Sequence, residues 1–328
     1  MSIHYFSIVS LSCLAGLAFI PLSKKFVLKY RIVSSRGVPL AGGINIGASF
    51  FLACSLAIIF YNSLFRETAG ILISSFIMLV FGVVDDRREL SVFAKFLVQI
   101  IAASVLVFFG VRTQIIYIGT LLNLIVTFFW VLGISNAFNH LDVMDGLSAG
   151  VALVVSSGLF LICIFSADIK TAMLLSALIG SLISFLFYNL PPAKIYLGNS
   201  GSHFLGFILA SVALAISYAP LERKVALFSP LFILGFPIFD TLFLMLMRLK
   251  KKKLPFKKSN DHVALRLLKK GYSKAGTLIL ALSLCMFFVL CGIALSRVSN
   301  LAGAVIIAFA ILISIALTVK ISKMQIDG

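Results

Sequence analysis

Eleven runs of about twenty apolar residues occupy most of this 328-residue chain, and they limit its fold more than any other feature. About 20 apolar residues in an α-helix cross a bilayer core of about 30 Å while satisfying every backbone polar group within the segment. In addition, 61% of the residues are hydrophobic and 12% are charged, whereas soluble domains carry about 25% charged residues. The sequence therefore predicts an all-α, polytopic transmembrane helical bundle of about 10–11 helices and excludes an ordinary soluble globule.

The positions of these runs define the predicted spans. They cover residues 3–22, 43–62, 69–84, 92–111, 114–133, 147–166, 171–189, 203–219, 225–247, 277–296 and 299–319. We predict a single integral membrane domain over residues 1–328, with cytoplasmic loops at about 23–42, 85–91, 134–148, 190–203 and 248–276.

The distribution of basic residues predicts the orientation of the bundle. Lys24, Lys25 and Lys29 follow the first span and no basic residue precedes it, which is typical of an uncleaved anchor with its N-terminus outside. From that start, 22 of the 28 lysines and arginines fall on the cytoplasmic side. This bias is the one that the positive-inside rule describes.

The net charge of +17 has more than one explanation, most clearly in the loop that holds Lys250–Lys253, Lys257 and Lys258. These lysines are expected either to set topology and attract anionic membrane lipids, or to draw in a polyanionic substrate. Nucleic acid is excluded as a partner, because the basic residues lie at membrane boundaries and no recognition motif accompanies them.

Acidic residues are more informative, because Asp and Glu are not needed for topology. Eight of the 11 fall on or near the predicted inner face. An aspartate near hydrocarbon costs about 2.5–3.5 kcal/mol on insertion scales, so its presence indicates a function.

The first acidic segment ends the third span with the adjacent pair Asp85 and Asp86. Adjacent carboxylates repel each other unless a cation or a base shares them. Either the following arginines neutralise a solvated turn, or the pair forms a metal or phosphate site. Lys95 and Gln99 share one face of the next span, where Lys95 reaches either the interface or a phosphate.

The second segment repeats a polar residue at every third position: Asn136, Asn139, Asp142 and Asp145, followed by Gly146. In a regular α-helix these side chains drift about 60° per step and wrap half of the cylinder. We therefore expect a tight 3₁₀-like or broken segment, which is tolerated at membrane depth where it lines a watery cavity.

Two further segments carry weaker signals. Gly198 and Ser200 belong to a Gly/Ser-rich stretch directly before a predicted helix, where backbone N–H groups can approach an anion. His262 and Arg266 lie in the basic loop, and the nearby acids raise the expectation that His262 contacts a ligand.

The order of these segments resembles that of the polyprenyl-phosphate N-acetylhexosamine-1-phosphate transferases. The motifs that carry the resemblance are Asp85-Asp86, Asn136-xx-Asn139-xx-Asp142-xx-Asp145-Gly146, Gly198-Asn199-x-Gly201-Ser202, Pro237-x-x-Asp240-Thr241 and the His262 loop. Each motif is modest alone, but five in order on one membrane face are specific. The enzymes that begin O-antigen and teichoic-acid linkage assembly are the most similar, and the phospho-N-acetylmuramoyl-pentapeptide transferases are more distant.

The resemblance implies transfer of N-acetylhexosamine-1-phosphate from a UDP-sugar donor, such as UDP-N-acetylglucosamine, to undecaprenyl (polyprenyl) phosphate, with release of UMP. It places this reaction at the cytoplasmic face of the bacterial plasma membrane, at the start of cell-envelope glycan synthesis. It also implies Mg²⁺ as the cofactor and, as in some family members, a homodimer surrounded by membrane lipids.

The resemblance also assigns roles to individual residues. Catalytic roles are implied for Asp85, Asp86, Asp142 and Asp145, and metal binding for Asn139 and Asn199. It also implies substrate contact by Asn139, His262 and Arg266, and the reading of the residues themselves adds Lys95, Asn136, Gly198 and Ser200 as expected substrate-binding residues.

This chain departs from the family pattern in two places. Position 199 is normally aspartate, and here it is asparagine. This change is expected to weaken metal binding unless Asp142 or Asp145 substitutes, because Mg²⁺ usually keeps at least one carboxylate ligand. The family loop often reads His-x-His-His-Arg, whereas residues 262–266 here read His-Val-Ala-Leu-Arg. Altered donor specificity or reduced activity would follow.

Two rival functions stay open at this point. A membrane transporter also places acids in a multispan bundle, but near the midplane and often with repeat symmetry, whereas these acids crowd at helix ends. A catalytically lapsed relative would bind lipid or nucleotide without turnover. Mg²⁺-dependent UMP release is expected of the transferase alone. A lapsed relative would bind UDP-sugar without releasing UMP, and a transporter would move solute without consuming the donor.

Overall fold

The structure is a computed structural model that describes residues 2–32, 37–61, 65–218, 222–254 and 261–324. Lys257 and Lys258 of the basic loop lie outside the described residues. Throughout the described ranges the regular structure is helical and no β-strand occurs, which confirms the all-α transmembrane bundle.

Thirteen α-helices are present in the described part of the chain. They are α1 (Ser2–Lys29), α2 (Gly42–Tyr61), α3 (Arg66–Arg87), α4 (Val92–Phe108), α5 (Gly119–Leu141), α6 (Leu147–Phe165), α7 (Ile169–Asn189), α8 (Gly198–Ala215), α9 (Ser229–Ile233), α10 (Gly235–Lys250), α11 (Val263–Lys269), α12 (Lys274–Leu295) and α13 (Asn300–Ser322). A short 3₁₀-helix (Lys224–Phe228) leads into α9.

Each of the eleven predicted spans coincides with a helix or with a helix pair. Eight helices are long and apolar enough to cross a membrane, namely α1, α2, α3, α5, α6, α7, α12 and α13. The segment Lys224–Ile233, which holds the 3₁₀-helix and α9, meets the same criterion together with α10, and the two parts are bent by 71° at Leu234. The last two predicted spans correspond to α4, with 17 residues, and α8, with 18.

The helices extend further into the predicted loops than hydropathy indicates. α1 continues to Lys29, α5 runs to Leu141 instead of stopping at 133, and α8 begins at Gly198 rather than at 203. The predicted loop 248–276 contains α11. These boundaries were wrong because hydropathy marks where lipid contact ends, whereas helical hydrogen bonding continues wherever polar side chains find partners.

α8 lies at the centre of the bundle, where it packs against α2, α3, α5 and α6. Fifteen of its 18 residues are buried. By contrast, only Gly303, Ala310 and Ile321 are buried in α13, whose exposed apolar side chains suit contact with lipid. A helix enclosed by other helices needs no lipid-compatible surface, so the N-terminal end of α8 can carry polar residues.

Two glycines allow α2 and α3 to approach the start of α8. A Cβ atom added to Gly43 would lie 2.2 Å from the backbone nitrogen of Gly201. A Cβ atom added to Gly82 would lie 2.3 Å from the Cα atom of Ser200. Small residues at helix contacts are the usual means of close packing in membranes, and here they set the position of the polar end of α8.

Gly82→Ala is expected to destabilise the protein by about 1–3 kcal/mol, because the new methyl group collides with backbone that cannot rotate away. A lower unfolding temperature in detergent measures this effect. The matched control is Gly133→Ala in α5, where nothing lies within 4 Å of the added atom, so stability should hold or rise slightly. Equal losses in both variants would contradict the proposed close packing.

Candidate active site

Polar residues from three helices and one turn meet at one end of the bundle. We call this group the acid cluster, and it consists of Asp85 and Asp86 at the end of α3, Asn139 at the end of α5, Asp142 and Asp145 in the turn before α6, and Asn199 at the start of α8. The structure thus brings together three segments that are far apart in the sequence.

Asp86 binds the N-terminus of α8. Its two carboxylate oxygens accept hydrogen bonds from the backbone N–H groups of Asn199 (2.6 Å) and Ser200 (3.0 Å). Helix N-termini carry unsatisfied donors and a partial positive charge, so a carboxylate is stabilised there. Gly198 has φ +76°, and a Cβ atom added to it would lie 2.6 Å from a carboxylate oxygen of Asp86. The anion expected at this Gly/Ser-rich helix start is therefore the carboxylate of Asp86.

Asp85 points away from its neighbour and is neutralised separately. One of its oxygens accepts a hydrogen bond from the ammonium group of Lys95 at 2.6 Å, and the other accepts one from the backbone N–H of Leu90 at 2.8 Å. The side chain of Asp85 is fully buried, whereas that of Lys95 is 22% exposed. The repulsion expected between the adjacent carboxylates is thus relieved by giving each its own partner, and Lys95 remains reachable from solvent.

The end of α5 is a regular α-helix through Leu141, so the expectation of a 3₁₀-like segment is wrong for Asn136 and Asn139. Both amides are instead satisfied by neighbouring helices. Asn136 exchanges hydrogen bonds with Gln99 of α4 at 3.0 and 3.3 Å. The amide nitrogen of Asn139 donates to the side-chain oxygens of Asn199 and Ser202, each at 3.0 Å.

The break in the helix comes after Leu141 and brings Asp142 and Asp145 to the cluster. Gly146 adopts φ +77°, a conformation that glycine tolerates best. Its backbone N–H donates to the side-chain oxygen of Asn189 at 3.0 Å, and the Asn189 amide also donates to the carbonyl of Ile195 at 2.9 Å. Asn189 therefore fixes this turn, a role that nothing in its sequence context indicates.

Asp142 has the most distinctive electrostatic environment of the cluster. Burial, together with repulsion from Asp86 and Asp145, raises the pKa of Asp142 to about 7. Within the described residues, no hydrogen bond or ion pair to its carboxylate occurs. Asp145 has weaker partners, namely the backbone N–H of Ala193 at 3.4 Å and the exposed ammonium of Lys274 at 3.5 Å.

This donor set is compatible with a magnesium ion. No group of three or more His, Cys, Asp or Glu side chains within the described ranges is arranged as a metal site. Mg²⁺, however, is commonly bound through one or two carboxylates while keeping several waters. Asp142 and Asp145 are carboxylates without a strong internal cation, and the amide groups of Asn139 and Asn199, which bind each other, offer further oxygen ligands in the same cluster.

His262 is buried and bound to a residue of the fourth motif. Its Nδ1 atom lies 2.7 Å from a carboxylate oxygen of Asp240, and the other oxygen of Asp240 accepts the backbone N–H of Val263 at 2.9 Å. Asp240 therefore joins α10 to the first turn of α11. Substrate contact by His262 stays a prediction, since only 3% of the residue is exposed.

Arg266 is also buried, and its hydrogen bonds join α11 to the end of α13. Its guanidinium donates to the carboxylate of Asp261 at 2.7 Å and to the carbonyls of Ile321, Ser322 and Met324 at the end of α13. These contacts explain how α11 is tied to the last helix. The predicted donor contact by Arg266 likewise stays a prediction.

Sequence reasoning assigns no role to His203, which lies one turn after Asn199 on α8. It is 1% exposed, its ring packs against Phe81 with centroids 5.4 Å apart, and neither ring nitrogen has a partner among the described residues. The spacing of four residues from Asn199 is the signal that places both side chains on one face of α8.

The fold and the site define a multi-pass helical membrane protein whose carboxylates and amides gather at one end of the bundle. The family model described as "Glycosyl transferase family 4" matches residues 68–217, which include every residue of the acid cluster. The chain belongs to this family, which confirms the resemblance of its motifs to the polyprenyl-phosphate N-acetylhexosamine-1-phosphate transferases.

Relatives with assigned names agree with this family. The probable undecaprenyl-phosphate N-acetylglucosaminyl 1-phosphate transferase of Bacillus subtilis is 31% identical over 283 residues, covering 80% of this chain and 76% of that protein. The undecaprenyl-phosphate alpha-N-acetylglucosaminyl 1-phosphate transferase of Thermotoga maritima is 28% identical, with coverage of 79% and 77%. The decaprenyl-phosphate N-acetylglucosaminephosphotransferase of Mycobacterium leprae is 29% identical, with coverage of 74% and 68%.

Asp240→Ala is expected to loosen the segment around α11, because two buried hydrogen bonds are lost and the removal of each partner costs roughly 1–3 kcal/mol. Amide hydrogen exchange over residues 263–269 should accelerate at least about tenfold. Thr241→Val is the matched control, since the hydroxyl of Thr241 has no partner in the described part of the structure. Unchanged exchange in Asp240→Ala would show that Asp240 does not hold this segment.

Proposed function

We propose that this protein is a phosphoglycosyltransferase that transfers N-acetylhexosamine-1-phosphate from a UDP-sugar to polyprenyl phosphate, with undecaprenyl phosphate as the expected acceptor, and releases UMP. The proposal rests on the acid cluster of this chain, which belongs to the family. In that cluster, Asp142 and Asp145 have no strong partners within the protein. The names of the relatives support a polyprenyl phosphate acceptor and suggest N-acetylglucosamine as the first sugar to test. They do not favour a transporter or a lapsed relative.

In the proposed reaction, an oxygen of the acceptor phosphate attacks the phosphorus that carries the sugar, and the bond from that phosphorus to UMP breaks. Transfer between two anions needs positioning and charge neutralisation more than covalent chemistry. Lys95 supplies a partly exposed cation at the edge of the acid cluster, held in place by buried Asp85. We assign to it the phosphate of the lipid acceptor.

Asp86 has a positioning role in this proposal. By accepting both N–H groups at the start of α8, it fixes Asn199, which in turn is bound by Asn139. Asp142, whose pKa is raised to about 7 by burial and by Asp86 and Asp145, carries a charge that a bound cation would stabilise. Of the four predicted catalytic aspartates, Asp85 and Asp86 thus hold other residues of the site in place. Asp142 and Asp145 are left to interact with the substrates or the cation.

Mg²⁺ is the cofactor we propose, held by Asp142 and Asp145 with amide oxygens from Asn139 and Asn199. When bound, a divalent cation neutralises the charge of the donor diphosphate. The asparagine at position 199 is compatible with this arrangement, because the two carboxylates in the turn before α6 supply the negative charge that the family's aspartate would otherwise provide.

We also propose that the acid cluster faces the cytoplasm and that the chain resides in a bacterial plasma membrane. The positive-inside bias supports this orientation, since most lysines and arginines fall on the side of the cluster. A UDP-sugar donor is soluble and anionic, so the basic loops on that side would attract it. A homodimer stays a prediction.

UMP release by purified protein with undecaprenyl phosphate, Mg²⁺ and a panel of UDP-N-acetylhexosamines tests the proposal. Wild type should release UMP only when the lipid is present, and Asp142→Asn should lower the rate by at least about a hundredfold. Glu222→Gln removes a charge from an exposed residue at the opposite end of the bundle and should keep full activity. Absence of lipid-dependent release across the panel would overturn the proposed reaction.

The raised pKa of Asp142 predicts a specific pH dependence. Below about pH 7 a proton competes with the cation for this carboxylate, so the Mg²⁺ concentration for half-maximal activity should rise by up to about tenfold per pH unit. Above about pH 8 it should be constant. A Mg²⁺ requirement that does not change between pH 6 and 8 would argue against Asp142 as a metal ligand.

A further inference from the structure

A second polar site lies at the other end of the bundle. α3 begins beside it with Glu67 and Thr68 and ends at the acid cluster, and its 22 residues span about 33 Å. The site is a cavity of about 620 Å³, which is within the usual size range of ligand pockets. We call it the loop cavity, because residues 110–117, between α4 and α5, form one side of it.

Basic residues are concentrated around the loop cavity beyond what topology requires. Only six lysines and arginines fall on this side of the bundle by the sequence count, in line with the positive-inside rule. Four of them line the cavity: Arg112, Lys170, Arg223 and Lys224. The lining also includes the carboxylates of Glu67 and Asp168, so the cavity keeps an excess of positive charge.

The charged residues differ in how far they are already engaged. Asp168 accepts the backbone N–H of Thr171 at the start of α7, and Arg223 donates to the carbonyl of Ser296. Lys224 lies over the ring of Tyr117 at 5.7 Å. The side chain of Arg112 makes no hydrogen bond or ion pair with the described residues, which leaves its guanidinium available to an anion.

The loop that lines the cavity is held rigidly by two polar residues of α5. Asn123 accepts the backbone N–H of Ile115 at 2.8 Å and donates to the carbonyls of Ile115 and Gly119 at 2.9 and 2.7 Å. Thr127 accepts the backbone N–H of Thr113 at 2.9 Å. Both side chains are buried, so two polar positions of a transmembrane helix fix this loop in one conformation, as expected of a preformed site.

The remaining wall of the loop cavity is apolar. Ile71 of α3, Leu174 of α7 and Ile216 after α8 contribute to it. A cavity lined by both cations and apolar side chains matches an amphiphile that carries a negative headgroup. Arginine and lysine both bind phosphate well, arginine through paired N–H groups and lysine as a point charge.

We propose that the loop cavity binds the phosphate of an anionic lipid in the leaflet opposite to the acid cluster, with Arg112 and Lys224 contacting the phosphate and the apolar wall contacting the upper part of the chain. The shared chemistry is a phosphate group, which a lipid headgroup or free inorganic phosphate could supply. This inference does not rest on the proposed transferase function, because it uses none of the residues of the acid cluster.

Native mass spectrometry of the full-length protein in detergent tests the proposal with phosphatidylglycerol and phosphatidylcholine as probes. Wild type should bind phosphatidylglycerol more tightly than phosphatidylcholine. The double variant Arg112→Gln/Lys224→Gln should lose at least about tenfold of the affinity for phosphatidylglycerol, because both cations that contact the phosphate inside the cavity are removed. The matched control, Arg66→Gln/Arg297→Gln, removes the same charge on the same side of the bundle but outside the cavity, and it should bind as wild type.

Competition with inorganic phosphate distinguishes a lipid headgroup from free phosphate as the ligand. Displacement of the lipid by millimolar phosphate would support recognition of the phosphate group alone, and no displacement would support a lipid held also by its chain. Equal binding of both lipids by wild type, or equal losses in the two double variants, would overturn the proposal. Unfolding temperatures of all variants show whether a loss of binding reflects a loss of fold.

Discussion

The hydrogen bonds from the start of α8 to Asp86 are the interaction on which the rest of the acid cluster depends. They satisfy two N-terminal donors of α8 and the partly buried carboxylate of Asp86 at once, so neither group is left without a partner. They also fix where Asn199 lies relative to Asn139. Gly43 and Gly82 make this arrangement possible, because larger side chains would hold α2 and α3 away from the polar end of α8.

Charges near a membrane core are tolerated here because most of them have a defined partner. Asp85 has Lys95, Asp86 has the α8 N-terminus, and Asp240 has His262 with the first turn of α11. Asp142 is the exception, as its pKa of about 7 reflects burial beside other carboxylates. This difference separates residues that hold the site together from residues whose charge requires a ligand, and perturbed acids in such positions are typical of functional sites.

The fold could be predicted from the sequence because apolar runs report directly on lipid contact, and each predicted span coincides with a helix or helix pair. The segments of the site could be predicted because an aspartate near the membrane core is energetically costly and therefore indicates a functional position. The helix ends and the hydrogen-bond partners of the polar side chains could not be predicted, because they depend on residues distant in the sequence. Asn139, for example, lies in a regular helix and its amide donates hydrogen bonds to Asn199 and Ser202. The role of Asn189 in fixing the turn at Gly146 also depends on such a distant contact.

Location of a bound Mn²⁺ ion by anomalous X-ray scattering would test most directly that Asp142 and Asp145 are the ligand-binding part of the acid cluster. Mn²⁺ prefers the same oxygen ligands as Mg²⁺. We expect one ion within about 2 Å of oxygens from these two aspartates, with Asp85 and Asp86 still bound to Lys95 and to α8. An ion coordinated by Asp85 and Asp86 instead, with the turn before α6 empty, would contradict this expectation.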